Sequence, residues 1–348
     1  MTTIPASIDE VTADWLTDVT EFQVDGTAVE QIGVGVGVSS ALYRVRLRGP
    51  ACPDSVIVKL PALDPAAVFT STMLRMYIRE VRFFTELARQ SPVRVPTGLH
   101  AAVDEETSRF VVVMEDMGKM RVVDQVEGMS LTDAERAVDE LAAWHATWWR
   151  EADELAEAGV TVSLDDPIYP AVLPVVFAEG WEKLTAELQL PPPILDVGPR
   201  FAAGIPGLLR DLCRAPTTVF HGDYRADNIL FAPDGSVVLL DFQLIGTGSG
   251  AYDLAYFITQ SLTAGVAAEY ERALFDRWTA GLLTGGVPAD DLGRMWEDYR
   301  RAALFCLVYP VVASRGMDLA DRRQRGLLDC MNGRFGRAVD QLDLASLI

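Results

Sequence analysis

The chain has little that cross-links, little that titrates near neutrality and too little positive charge to balance its acids. Its 348 residues include four cysteines and three histidines, and 30 Lys and Arg stand against 50 Asp and Glu. Cys52, Cys213, Cys306 and Cys330 are widely scattered, with no C-x-x-C spacing. That argues against a disulfide framework and a cysteine zinc site, and leads us to expect a reducing, cytoplasmic compartment. The formal net charge of −20 argues against a nucleic-acid partner, whose phosphate backbone demands the opposite sign. It would steer a cationic small molecule, and it also keeps a chain soluble. The longest apolar run, near Ala302–Ala313, is too short to span a bilayer and contains Pro310, so no membrane partner is expected. The Met1-Thr2-Thr3-Ile4-Pro5 start has neither the basic residues nor the apolar core of a signal peptide. Internal repeats and low-complexity tracts are absent from the sequence, and Pro191-Pro192-Pro193 reads as a loop.

What is present is a set of metal and phosphate groups in a fixed order. His221-Gly222-Asp223 is followed by Asn228, and an apolar run then leads to Asp241-Phe242. One carboxylate can act on a substrate hydroxyl, while an amide and a second carboxylate can grip the magnesium of a nucleotide. Phosphoryl transfer needs this pairing, because the protein supplies mainly positioning and charge neutralisation. Ile229-Leu230-Phe231 and Val237-Val238-Leu239-Leu240 flank Pro233-Asp234-Gly235, which reads as a β-hairpin. A turn centred near Asp234 would set Asn228 opposite Leu240 or Asp241. Opposed hairpin residues have Cβ atoms roughly 5 Å apart, close enough for one cation to bridge both side chains.

HGDYRADN followed by LDFQ resembles the catalytic loop and metal motif of the aminoglycoside phosphotransferase and choline kinase group. That resemblance implies an α+β, two-lobed protein-kinase-like fold. A small N-terminal antiparallel-sheet lobe would precede a larger, mostly helical C-terminal lobe, and 49% apolar residues suffice for two such cores. It also implies that Asp223 is the catalytic base and that Asn228 and Asp241 are the magnesium ligands. Gly222 stands where protein kinases carry Arg, which argues against control by a phosphorylated activation loop. Gln243 stands where they carry Gly, and looks closer to the ecdysteroid-kinase-like branch.

The upstream half carries further signals. Gln31–Ser40 includes Gly33, Gly35 and Gly37 and ends in Ser39-Ser40, a segment whose backbone N–H groups can cover phosphates or form a tight turn. No Gly-Lys-Ser/Thr follows, so it is not a Walker A loop. Tyr43, Val45 and Leu47 alternate with Arg44, Arg46 and Arg48, a strand rather than the helix of a dinucleotide site. Lys59 lies inside the apolar strand Ser55–Leu60 and must either snorkel to water or find a carboxylate. Glu80 is the candidate, beside a helical apolar face of Tyr77, Val81 and Phe84. The resemblance makes Lys59–Glu80 the ion pair of the N-terminal lobe. It also makes Phe110–Met114 the strand entering the hinge, with backbone groups of Glu115 and Met117 meeting the nucleotide base.

Thr132-Asp133-Ala134-Glu135 reads as a capping box opening a helix whose stripe is Ala134, Val138, Leu141, His145 and Trp148. His145 in that stripe reads as a buried structural histidine. The resemblance has His145 and His221 support the catalytic loop and Asp253 stabilise it through backbone contacts. From the residues alone, Asp253 reads as an N-cap.

The expected protein is a magnesium-dependent O-phosphotransferase using ATP or GTP, with residues 1–116 as the nucleotide-binding lobe and 117–348 as the catalytic and substrate-binding lobe. Its acceptor is a small-molecule hydroxyl, on an antibiotic or on a metabolic alcohol, sterol or choline-like compound. A nucleotide-binding pseudoenzyme serving as a regulatory module is the alternative of another class. Neither the acceptor nor the oligomeric state is written in the sequence.

Overall fold

The computed structural model describes residues 3–33, 39–214 and 216–348. The expected positions Gly35 and Gly37 lie outside them. The chain forms two compact units, one of Met1–Met120 with Val238–Leu244, the other of Arg121–Val237 with Ile245–Ile348.

The first unit is built on an antiparallel sheet. Its strands are β1 (Gly26–Ile32), β2 (Ser40–Arg48), β3 (Ser55–Pro61), β4 (Gly98–Asp104) and β5 (Arg109–Glu115), in the order β1-β2-β3-β5-β4. The helices α1 (Ala13–Val19), α2 (Pro65–Met73) and α3 (Met76–Arg82) complete it. In β2, Ala41, Tyr43, Val45 and Leu47 are buried while Arg46 and Arg48 are exposed, the period-two alternation of a half-buried strand. The same parity splits β3 between two cores. Val56, Val58 and Leu60 join Val45, Val111 and Val113 in a cluster that includes Leu16 of α1. Lys59 points to the other face, paired in register with Val112. On that face Phe110 and Val112 pack with Tyr77 and Val81 of α3. A lysine in an apolar strand is thus delivered to the helix that carries Glu80. Phe84 lies in a π turn over Phe83–Leu87 that continues α3, and it packs on the same cluster as Tyr77 and Val81.

The second unit is mostly helical: α4 (Leu131–Thr147), α5 (Ala152–Glu157), α6 (Ile168–Glu187), α7 (Pro192–Leu212), α8 (Ala251–Ser261), α9 (Ala264–Thr284), α10 (Met295–Phe305), α11 (Val308–Gly316) and α12 (Arg322–Gln341). Short strands are inserted between them: β6 (Arg121–Val122), β7 (Val162–Ser163), β8 (Thr218–Phe220), β9 (Ile229–Phe231) and β11 (Gly246–Gly248), while β10 (Val237–Leu239) begins here and runs into the Val238–Leu244 segment of the first unit. The turn after β9 is closed by Ala232 N–H to Ser236 O and Gly235 N–H to Ala232 O, both 2.9 Å. Gly235 takes φ +86°, the conformation for which a glycine is needed there.

Three local expectations need correction. The cap of α4 is Ser130, whose hydroxyl accepts from Asp133 N–H, because the helix starts one residue before Thr132. Pro192 opens α7 instead of lying in a loop, since its missing N–H costs nothing in a first helical turn. Asp253 is not an N-cap: α8 begins at Ala251, so Asp253 lies inside its first turn and its side chain serves another segment. Among the described residues no helix is long and apolar enough to cross a membrane, and the Ala302–Ala313 run is split between buried parts of α10 and α11.

Candidate active site

In the first unit, Lys59 Nζ donates to Glu80 Oε1 at 2.7 Å and to Asp241 Oδ1 at 2.9 Å. Lys59 and Glu80 are 5% and 1% exposed at their side chains, whereas Asp241 is 26% exposed, so the triad opens to solvent on its Asp241 side. Burial opposes the lysine charge, but Asp241 and Glu80 together outweigh it and raise its pKa. Burial also pushes Glu80 up, to about 7: Lys59 pulls it down, but Asp241 adds to the burial effect. The two upward shifts are compatible because one ammonium serves two carboxylates. Asp241 adopts φ +67°, a left-handed conformation that Asp tolerates better than most residues. Its neighbour Phe242 stacks on Phe83 with ring centroids 3.6 Å apart. Gln243 Oε1 accepts from Ser39 Oγ at 2.5 Å.

The turn after β5 is set by Asp116, which sequence reasoning assigned no role. It accepts from Arg44 Nε at 2.6 Å, Ser55 Oγ at 2.6 Å and Gly118 N–H at 2.9 Å. Burial would raise its pKa, but these donors overcome that and hold the carboxyl below its usual range. Glu115 N–H donates to Thr97 O, and the Met117 carbonyl accepts from Met120 N–H. Gly33 lies just past the end of β1 with φ +67°.

In the second unit, Asp253 organises the loop that carries His221 and Asp223. Its Oδ2 accepts from His221 N–H at 2.6 Å and its Oδ1 from Gly222 N–H at 2.9 Å, the latter residue at φ +85°. His145 Nε2 lies 3.2 Å from Asp253 Oδ2, and Trp278 Nε1 donates to His145 Nδ1 at 3.0 Å. With Nδ1 accepting, Nε2 carries the proton and donates to Asp253. Asp253, His145 and His221 are all fully buried, which suits groups that hold backbone in place. His221 Nδ1 in turn accepts the backbone N–H of Asp223 at 3.2 Å.

Asn228 Nδ2 donates to Asp223 O at 2.9 Å and to Asp223 Oδ2 at 2.7 Å. The amide nitrogen is therefore committed to Asp223, which turns the Asn228 oxygen the other way as an acceptor. Arg225 Nε lies 3.2 Å from Asp223 Oδ1 and Tyr256 Oη donates to that oxygen at 3.2 Å. Arg225 also pairs with Asp227 and donates to Gln125 Oε1. Sequence reasoning missed both Arg225 and Tyr256. Arg225 stands within the HGDYRADN string, and Tyr256 lies three residues after Asp253, on one helix face with it.

Magnesium fits what these residues offer. The donors are oxygens, and the Lys59 triad keeps one negative charge in excess if both carboxylates are ionised. Among the described residues no group of three or more His, Cys, Asp or Glu could hold a metal ion. Magnesium needs no such cage, since it takes one or two protein oxygens beside phosphates and water.

A model of the Phosphotransferase enzyme family matches residues 30–303. The chain belongs to that family. Among curated proteins none matches it. Solved structures show the same two-lobed, protein-kinase-like fold. The macrolide 2′-phosphotransferase MphH of Brachybacterium faecium is 17% identical with a TM-score of 0.53, covering 93% of this chain and 98% of that one. An ethanolamine kinase of Plasmodium vivax is 12% identical with a TM-score of 0.58, covering 97% and 90%. A spectinomycin phosphotransferase in complex with ADP and spectinomycin is 11% identical with a TM-score of 0.55, covering 98% and 99%. As a member of the phosphotransferase family, the protein is a small-molecule kinase with an alcohol group as acceptor.

Proposed function

We propose that this phosphotransferase moves the γ-phosphate of ATP or GTP to a hydroxyl of a small molecule, with magnesium. The observation that carries the reading is the buried Lys59, held between Glu80 and the more exposed Asp241. A lysine fixed by two carboxylates is pre-aimed for phosphate oxygens, and one of those carboxylates is available to a cation.

In this reading Asp223 accepts or orients the proton of the acceptor hydroxyl. Asn228 and Asp241 supply the magnesium oxygens, and the bound ion would neutralise charge on the triphosphate. Lys59, kept in place by Glu80, binds phosphate oxygens, and the glycine-rich segment that runs from Gly33 to Ser39 covers them. Backbone groups of Glu115 and Met117 meet the base. His221, His145 and Asp253 hold the loop that carries Asp223. Residues 1–116 form the nucleotide-binding lobe, residues 117–348 the catalytic and acceptor-binding lobe, and the protein works in the cytoplasm. The acceptor is an antibiotic-type or amino-alcohol hydroxyl. The formal charge of −20 supports this by favouring a cationic acceptor, and macrolide, spectinomycin and ethanolamine enzymes share the fold.

The test is a nucleotide-consumption screen with ATP and GTP against hydroxylated antibiotics, amino alcohols, sterols and sugars. On the acceptor so found, Asp223→Asn should lower kcat about 10²–10⁴-fold while nucleotide binding persists. Full rate in that variant would sink the assignment of Asp223.

A further inference from the structure

The carboxylate of Asp223 has a partner that lies outside the catalytic-loop motif. Tyr256, on α8, donates its hydroxyl to Asp223 Oδ1 at 3.2 Å. Asp253 and Tyr256 stand at i and i+3, so one face of α8 holds both the backbone of the catalytic loop and its key side chain. Tyr256 is itself fixed. It is 4% exposed, and its ring stacks on Tyr309 with centroids 4.0 Å apart and planes at 18°. Tyr309 is in turn hydrogen-bonded through its hydroxyl to Tyr252, one turn before Tyr256 on α8.

An aspartate rotates easily about its terminal torsion, so the placement of its two oxygens is decided by donors. Here Oδ2 is held by Asn228 Nδ2 at 2.7 Å, whereas the Arg225 guanidinium lies 3.2 Å from Oδ1 and 3.3 Å from Oδ2. An approach so nearly even does not set the rotation. Among the described residues, Asn228 thus marks Oδ2 and Tyr256 marks Oδ1, so the two donors together set the rotation. Burial, followed by the charge of Asp223, raises the phenol pKa well above its usual value, so Tyr256 stays a donor at any working pH.

We infer that Tyr256 is a positioning residue for phosphoryl transfer, its hydroxyl holding the Oδ1 end of the Asp223 carboxylate against the acceptor hydroxyl while Asn228 holds Oδ2. This rests on Asp223 acting on the acceptor as proposed above. Nothing in the role requires contact between Tyr256 and the nucleotide, so its loss reaches the chemical step and leaves donor binding alone.

The experiment uses the full chain with magnesium and ATP or GTP, and water as the acceptor, followed by nucleoside-diphosphate release. Tyr256→Phe keeps the ring and its stack on Tyr309 and removes only the hydroxyl. It should lower kcat about 10-fold, the order expected for one hydrogen bond to a charged group when the other donors remain. The nucleotide KM and the melting temperature should stay at wild-type values. In an Asp223→Asn background the same substitution should cause no further loss, because the carboxylate it positions is gone. A Tyr256→Phe enzyme with wild-type kcat overturns the inference, and so does a rise in nucleotide KM alone or a full additional loss on Asp223→Asn. Full turnover in Asp223→Asn itself overturns instead the role given to Asp223, and the positioning role falls with it.

Discussion

Replacing Lys59 with Met tests the buried triad most directly. The substitution keeps a long side chain but removes the ammonium between Glu80 and Asp241, which sit 2.7 and 2.9 Å from it. At these distances each attraction is worth about 6 kcal/mol before desolvation, taking an effective dielectric constant of about 20. Desolvation cancels much of that, and breaking a buried pair from one side typically costs about 3–5 kcal/mol. Lys59→Met should therefore lose about that much unfolding free energy at pH 8. The loss should depend on pH. In the wild type, burial and Asp241 already push Glu80 from its ordinary value of 4.5 up to about 7. Between those values the folded state holds a proton that the unfolded chain has released, so Glu80 makes stability fall as pH rises through the window. Without Lys59 the main influence holding Glu80 down is gone, and its pKa climbs further. The deficit of Lys59→Met should thus be smaller at pH 5, where Glu80 is protonated, than at pH 8. Adding Glu80→Gln should recover a large part of the deficit at pH 8 without restoring turnover. Urea unfolding at both pH values measures this. A deficit equal at pH 5 and pH 8, or no recovery in the double variant, would refute the electrostatic account.

Other consequences follow from the same geometry. Asp241→Asn keeps a residue that tolerates the observed φ of +67° but removes the charge, so it should lose most of the magnesium-dependent gain in nucleotide affinity; calorimetric titration with and without magnesium reads this, and an unchanged gain would remove Asp241 from the metal site. Asp116→Asn should cost about 1–2 kcal/mol at pH 7, a value discounted for the partial exposure of Arg44. Because its donors hold Asp116 below its ordinary value of 3.8, that stabilisation is present above this pH and fades as pH falls through and below it. The wild-type and variant curves should converge in acid, and a constant gap would contradict the assignment.

Much of this was legible in the sequence, and the pattern of what was not is instructive. The strand around Lys59, the alternation of β2 and the turn at Pro233-Asp234-Gly235 are local, set by period-two patterning and turn chemistry. Helix starts were less legible, because several residues near α4 and α8 could cap and packing chose among them: Ser130 rather than Thr132, Gly250 rather than Asp253. The loop carrying Asp223 announced itself through its own string, but its supports came from elsewhere. Asp253 reaches His221 across 32 residues, and Tyr256 reaches Asp223 across 33. Arg44 and Asp116 are 72 residues apart, and nothing in either neighbourhood marks the pair.

The sequence alone determined which chemical groups are available: a glycine-rich segment, one lysine in an apolar strand, and the His-Gly-Asp, Asn and Asp-Phe order of a phosphotransferase. Residue type and spacing carry that much because the chemistry demands particular atoms in particular short-range frames. Tertiary structure decided how the groups are held. It placed Asp241, 182 residues after Lys59 in sequence, on the same ammonium as Glu80, and committed the amide nitrogen of Asn228 to Asp223. It also set Tyr256 on Asp223 Oδ1. Hydrogen bonds of about 3 Å between side chains far apart in sequence depend on which faces pack together, and no local pattern encodes that.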